Sequence, residues 1–249
     1  MPEFPDIPPI VYPPFLSVAA FVAIILFVVA SLGVGIYHST ALSTNGLKNQ
    51  KSLIGKTVFA LMAWLAVCAF LPLSGLLRIN VLPPPALVYA FACFGIGITL
   101  AFSTLGKRLA NLPYHWLIGF QIFRLPLELV LHHWYKTETL PIQMTYEGFN
   151  FDILTGILAV FVGAWAKLGQ PPKPVLIGFN VIGLALLVTV VSIAISSIPS
   201  PFKQFEGVPM LLPFYFPFSY IVSVAVTGAL IGHLVLFRKL LAKDVDRAI

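Results

Sequence analysis

Charged residues are scarce in this sequence. Of its 249 residues only 10% are Asp, Glu, Lys or Arg, whereas 59% are hydrophobic. An average soluble domain carries about 25% charged residues, so this chain has too few polar side chains to cover the surface of a soluble fold. The mean hydropathy of +0.95 indicates the same. We therefore predict an integral membrane protein.

Cysteine is rare as well, and the first residues of the sequence are not basic. Cys68 and Cys93 both fall within apolar runs, where they predict neither a metal-ligand spacing nor a disulfide framework. The chain begins Met-Pro-Glu-Phe-Pro-Asp, so we expect no cleaved signal peptide. The net charge of +6 comes from basic residues between the apolar runs, without the interleaved aromatic residues that bind single strands. No nucleic-acid partner is expected.

Seven apolar segments can cross a bilayer, whose core of about 30 Å needs about 20 helical residues. We predict one all-α domain over residues 1–249, a polytopic bundle of seven transmembrane helices. The predicted spans are 15–37, 57–77, 84–104, 114–135, 150–168, 174–197 and 213–237.

Basic residues are distributed unevenly between the two sides of this bundle. Connections one, three and five and the C-terminal tail hold eleven Lys or Arg residues, and the other side holds Arg78, Lys136 and Lys203. Because basic residues are retained on the cytoplasmic side, we predict an N-terminus outside and a C-terminus in the cytoplasm, across a plasma membrane that we expect to be the bacterial inner membrane. The eleven residues are Lys48, Lys51, Lys56, Lys107, Arg108, Lys167, Lys173, Arg238, Lys239, Lys243 and Arg247.

The two halves of the chain resemble one another weakly. Lys51-Ser-Leu-Ile-Gly and Lys173-Pro-Val-Leu-Ile-Gly each open a helix, and proline-rich segments precede helices three and seven. We interpret this as a parallel repeat of three helices on each side of helix four, an organisation found in transporters. The alternative is convergent loop chemistry, because proline and lysine are common at the ends of spans.

The fourth predicted span carries five polar side chains on one face, all within about 60° of its first member at 100° per residue. These are Gln121, Arg124, Glu128, His132 and Tyr135. Arg124 lies near the bilayer midplane, where a charge costs about 2.5–3.5 kcal/mol even on insertion scales. The face should therefore point into the bundle and form a site open to the outer side, where Pro126 is expected to kink the helix. The alternative is an Arg124–Glu128 pair that only joins helices.

The connection after this helix adds Glu147, Asn150 and Asp152 to the predicted ligand-binding set. Together with His132 and His133, the two carboxylates are candidate ligands of a divalent metal. No recognised metal-binding spacing is present, and the alternative is a plain outer loop with aromatic interfacial anchors.

Other polar residues in the spans are interpreted as structural. His38, His115 and His233 lie near inner helix ends, where we expect them at the lipid headgroup boundary; convergence on a metal or haem is the alternative. Further residues are expected to bridge or pack helices. These are Asn180, Thr189 and Ser192 in helix six and the small pair Gly228 and Gly232 in helix seven.

Seven helices with an outer N-terminus are also the topology of rhodopsins. Helix seven has no lysine near its middle for a Schiff base, so retinal is disfavoured. The segment Phe123-Arg-Leu-Pro-Leu-Glu128, followed by Gln143-Met-Thr-Tyr-Glu-Gly-Phe-Asn-Phe-Asp-Ile-Leu-Thr-Gly156, resembles a family of bacterial multi-pass membrane proteins. That resemblance implies a multi-pass fold and brings no activity with it.

The leading functional hypothesis is therefore a membrane protein that binds or transports a small polar or anionic ligand. Arg124 would anchor the ligand, and Glu128 would be its partner or a proton carrier. The competing hypotheses are an intramembrane metal-dependent enzyme of the hydrolase kind and a structural subunit of a membrane complex.

Overall fold

The computed structural model describes residues 9–43, 47–79, 81–201 and 203–242, and over these ranges the chain contains helices and no β-strand. The termini and their charges, among them Lys243 and Arg247, lie outside the described residues. The α-helices are α1 (Phe15–Ser43), α2 (Leu47–Leu73), α3 (Pro85–Phe102), α4 (Thr104–Leu109), α5 (Tyr114–Gly119), α6 (Arg124–Lys136), α7 (Ile153–Leu168), α8 (Lys173–Ser197) and α9 (Thr227–Leu241).

Five helical segments in this part of the chain are long and apolar enough to cross a membrane. They are Phe15–Ser39, Ile54–Leu73, Pro85–Phe102, Lys173–Ser197 and Ile221–Leu241. They correspond to predicted spans one, two, three, six and seven, so the all-α class is confirmed. Predicted spans four and five correspond to shorter helices.

The fourth predicted span is divided rather than simply kinked. A 3₁₀ turn, Phe120–Phe123, separates α5 from α6, and the amide of Arg124 donates to the carbonyl of Gln121 as that geometry requires. This turn includes Ile122, whose carbonyl lies four residues before Pro126 and loses its usual amide donor to the proline. The predicted distortion of the helix is therefore confirmed, and it takes the form of a 3₁₀ turn before Pro126.

Two predicted boundaries also differ. Helix α7 has 16 residues, a length of about 24 Å, because residues 150–152 form the turn before it instead of its first residues. The last span begins at Ile221 and not at 213, since Leu212–Phe214 is a separate 3₁₀ turn. A π-helical stretch, Ile221–Val226, then leads directly into α9.

The buried side chains form two apolar clusters, one at each end of the bundle. The first surrounds Phe21, Trp134 and Phe218, whose rings lie 5.3–6.0 Å apart. The second surrounds Ile118 and Leu236. Buried polar residues of α6 to α9 lie between these clusters, and they form the candidate site described below.

Helix α2 lies at the edge of the bundle, and only 6% of the residues in the most apolar stretch of its segment Ile54–Leu73 are buried. The indole of Trp64 donates to the carbonyl of Ser223 at 3.2 Å, and the hydroxyl of Tyr220 donates to the carbonyl of Leu65 at 3.0 Å. Cys68, further along the same helix, and Cys93 are buried free thiols.

Candidate functional site

A buried ion pair joins α6 to the start of α7. The guanidinium of Arg124 is 1% exposed and the carboxylate of Asp152 is 6% exposed. Nε of Arg124 donates to Oδ2 of Asp152 at 2.6 Å, and Nη2 donates to Oδ1. This paired arrangement fixes the orientation of both groups and neutralises their charges within the apolar bundle.

The remaining donors of Arg124 reach two further helices. Nη1 and Nη2 each donate to the carbonyl of Gly183 in α8 at 3.3 Å, and Nη1 donates to Nε2 of His233 in α9 at 2.8 Å. A guanidinium has five N–H donors and no acceptor. The five hydrogen bonds therefore use all of them, and Arg124 has no donor left for a ligand.

These contacts define the tautomer of His233. Because the guanidinium can only donate, Nε2 of His233 must accept, and the ring proton lies on Nδ1. Nδ1 is 2.7 Å from Oδ1 of Asn180, and Nδ2 of Asn180 donates to the carbonyl of His233 at 3.0 Å. The prediction that Asn180 bridges two helices is thus confirmed.

Gly183 leaves the space that the imidazole occupies. A Cβ atom added to this glycine would lie 2.3 Å from Cε1 and 2.7 Å from Nε2 of His233. Real Cβ atoms essentially never make such short contacts. Close approach of α8 to α9 therefore requires glycine here.

Glu128 belongs to the same buried group but has a different partner. It is 2% exposed, and its Oε2 accepts from Nδ2 of Asn150 at 2.8 Å. Asn150 also donates to the carbonyl of Met144 and accepts from the amide of Asp152. Within the described residues, Oε1 of Glu128 has no hydrogen-bond partner.

A cavity of about 100 Å³ lies between α3, α6, α8 and the last span. Arg124, Glu128 and Asp152 line it at one place, and apolar side chains such as Phe123, Leu187 and Ala225 line almost all the rest. Since the guanidinium and Asp152 already satisfy one another, Glu128 is the ionisable group that the cavity presents to a ligand.

The outer members of the predicted site form a separate group near the surface. Nζ of Lys136 donates to Oε2 of Glu147 at 2.9 Å, Nε2 of His132 is 3.5 Å from Oε1 of Glu147, and the His132 ring stacks on Tyr146 at 4.4 Å. The rings of His132 and Tyr135 are 6.1 Å apart. The hydrogen bond from Lys136 lowers the pKa of Glu147, and the same bond raises the pKa of Lys136.

The structure therefore divides the predicted ligand set. Arg124, Glu128, Asn150 and Asp152 meet in the buried cluster, whereas His132, Tyr135 and Glu147 lie in the outer group. Gln121 is buried but donates to the carbonyl of Ala229 and does not line the cavity. The predicted Arg124–Glu128 ion pair is replaced by the pair with Asp152, which the following loop brings closer to the guanidinium.

The predicted metal ligands are not assembled. Asp152 is bound to Arg124, His133 is exposed, and Glu147 contacts His132 and Lys136. Among the residues that the structure describes, no group of three His, Cys, Asp or Glu side chains is arranged to hold a metal ion.

Two functional residues were misread from the sequence. His233 was assigned to the headgroup boundary, yet it is 0% exposed, and Gly183 was not singled out. The sequence does hold a signal for the contact between Asn180 and His233. Asn180 follows Lys173 and His233 precedes Arg238, each within two helical turns. Since these basic residues end their spans on the same side, the two polar residues are expected at a similar depth in the bundle. Thr189 and Ser192 do not bridge helices, since their hydroxyls donate to carbonyls of their own helix.

The fold and site together define a class, an all-α chain in which helices long and apolar enough to span a membrane surround a buried ionic cluster. Comparisons with protein-family models, curated proteins and solved structures found no match.

Proposed function

We propose that this chain is a seven-span membrane protein that binds a small ligand beside Glu128 and carries it across the bilayer. The observation that supports the proposal is a carboxylate with an unpartnered oxygen in an otherwise apolar cavity. Intramembrane ionisable residues that face a cavity mark ligand and ion pathways in membrane proteins.

The chemistry of the cavity favours a ligand with an apolar body and one cationic or hydrogen-bond-donating group. An anionic ligand would need a donor from Arg124, and all five are used. Glu128 instead offers an acceptor. With Arg124 and Asp152 paired, the ionised cluster has a net charge of −1, which a cationic ligand neutralises.

Glu128 also supplies a means of coupling transport to protons. An isolated carboxylate charge in an apolar surrounding is costly, so an empty cavity requires a proton on Glu128. Arrival of a cationic group releases that proton, and departure of the ligand requires its return. The carrier thus exchanges a cation for a proton at one carboxylate.

The proposed topology places the N-terminus outside and the C-terminus in the cytoplasm, with α5 to α6 and α7 as spans four and five. The excess of basic residues on one side supports it. Under this topology the cavity is nearer the outer surface, beneath the loop that carries Asn150. A C-terminal reporter should be active only in the cytoplasm, and activity only outside would overturn the orientation.

Binding can be tested with three probes of similar size that differ in charge. Benzylamine is a cation, benzyl alcohol is neutral and benzoate is an anion. Each is larger than benzene, which an apolar cavity of about 150 Å³ holds, so binding also requires the side chains around this cavity of about 100 Å³ to move apart. We expect benzylamine to raise the thermal unfolding temperature of the purified protein more than the other two do. Transport is then distinguished from binding by measuring benzylamine uptake into proteoliposomes with an imposed proton gradient. Uptake that depends on the gradient indicates transport.

Matched variants make the result specific. Glu128→Gln should abolish stabilisation by benzylamine, whereas Glu147→Gln, the same change in the outer group, should preserve it. Stabilisation by benzoate, or an equal response of both variants to benzylamine, would overturn the assignment of Glu128 as the ligand-binding group.

A further inference from the structure

A cleft of about 610 Å³ lies between α2 and the helices α1, α3, α4 and α9. Its walls are mainly apolar, and they include Leu61, Trp64 and Ile96. It does not include Glu128 or any other member of the buried ionic cluster. The cleft is therefore separate from the site of the proposed function.

The cleft follows from the way α2 is attached. Trp64, Leu65 and Cys68 are joined by hydrogen bonds to the segment 219–223 of the last span. The part of α2 that lines the cleft extends from Lys56 to Leu65. Because α2 is largely exposed, the cleft is accessible from the side, where the lipid of a membrane would lie.

Two basic side chains mark one end of this cleft. Lys56 and Arg108 both line it, beside the hydroxyl-bearing residues Thr57, Ser103 and Thr104. Within the described residues, neither basic group forms an ion pair or a side-chain hydrogen bond.

Two other basic residues at this end of the bundle, unlike Lys56 and Arg108, donate hydrogen bonds to backbone carbonyls. Arg238 donates to the carbonyls of Ala101 and Ser103, and Lys239 donates to those of Ala110 and Leu112. In the lining of the cleft, the charges of Lys56 and Arg108 thus remain available to an anion.

We propose that this cleft binds one anionic phospholipid, with its phosphate between Lys56 and Arg108 and an acyl chain along Leu61 and Trp64. Basic pockets between transmembrane helices bind anionic headgroups in this way. The apolar length of the cleft distinguishes a lipid from free phosphate, which would leave that surface unoccupied. The site is independent of Glu128 and of the ligand proposed above.

Fluorescence quenching tests the proposal, because Trp64 lies in the wall of the cleft. The full chain is reconstituted in phosphatidylcholine vesicles that contain brominated phosphatidylglycerol or, separately, brominated phosphatidylcholine. We expect stronger quenching by the brominated phosphatidylglycerol. Trp64→Phe should remove the difference, which assigns the signal to this position.

The charge requirement is tested with matched double variants. Lys56→Gln with Arg108→Gln should lower the preference for phosphatidylglycerol about thirtyfold, or about fivefold for each charge. Lys107→Gln with Lys173→Gln removes two exposed basic groups outside the cleft, and should keep the preference. Equal quenching by both lipids in the unmodified protein, equal behaviour of the two double variants, or displacement of the lipid by inorganic phosphate would each overturn the proposal.

Discussion

Substitution of Gly183 by alanine tests whether the buried cluster holds the bundle together. The added methyl group would lie 2.3 Å from Cε1 of His233 and 3.0 Å from Cγ2 of Thr155. His233 cannot move freely, because it is hydrogen-bonded to Arg124 and Asn180 at its two ring nitrogens. The imidazole must therefore shift, and its contact with the guanidinium is the bond at risk.

The expected cost has two parts. Forcing extra volume into a packed core costs about 1–3 kcal/mol, and loss of a hydrogen bond to a charged group costs about 1.5–3 kcal/mol. Alanine recovers about 1 kcal/mol through its better helix propensity. Gly183→Ala should therefore destabilise the fold by about 1.5–5 kcal/mol. Gly178→Ala in the same helix meets no atom within 4 Å, so it should be neutral or slightly stabilising.

The assay is denaturant-induced unfolding in detergent, with the two glycine variants measured side by side. A second cycle adds His233→Ala to each, because removal of the ring should make Gly183→Ala much less costly in that background. Equal stability of the two single variants would refute the packing argument. An undiminished cost without the imidazole would show that some other contact is responsible.

Three further results are expected. Asp152→Asn should destabilise the fold by about 3–5 kcal/mol, because it leaves a buried guanidinium unpaired, whereas Glu147→Gln at the surface should change unfolding little in the same assay. Glu147 has a lowered pKa, so its ion pair with Lys136 is complete above the ordinary carboxyl range and is lost as pH falls through the lowered pKa. Lys136→Met should raise the pKa of Glu147 in an NMR titration. An unchanged pKa would contradict the assignment of Lys136 as the cause. Gly232→Ala should be more costly than Gly228→Ala, since its Cβ would lie 2.5 Å from a buried amide nitrogen and the nearest contact at Gly228 is 3.4 Å; equal unfolding midpoints would contradict this difference.

The features that depend on local pattern were predictable from the sequence. Long apolar runs predicted the helices, and the polar face of helix four predicted that Arg124 and Glu128 are buried. Their burial follows from period and hydropathy alone, and the structure shows both nearly inaccessible. The number of spans and their orientation depend on an unseen bilayer and stay predictions.

The partners of these residues could not be predicted in the same way. Whether Arg124 pairs with Glu128 or Asp152 depends on how the loop folds back, which periodicity does not describe. The contact with His233 joins residues 109 positions apart and needs the close packing at Gly183. Similarly, His132 and Asp152 were both predicted as candidate metal ligands. They lie in separate groups, because Asp152 is bound to Arg124, which is eight residues, or about 12 Å, from His132 along the helix.

The most direct test of the central claim is to locate a bound cation. Crystals of the protein soaked with para-bromobenzylamine would show the bromine by its anomalous scattering. We predict one peak in the cavity between α3, α8 and α9, with the amine beside Oε1 of Glu128, and no such peak in Glu128→Gln. A peak elsewhere, or the same peak in both proteins, would contradict the proposal that Glu128 is the group that binds the ligand.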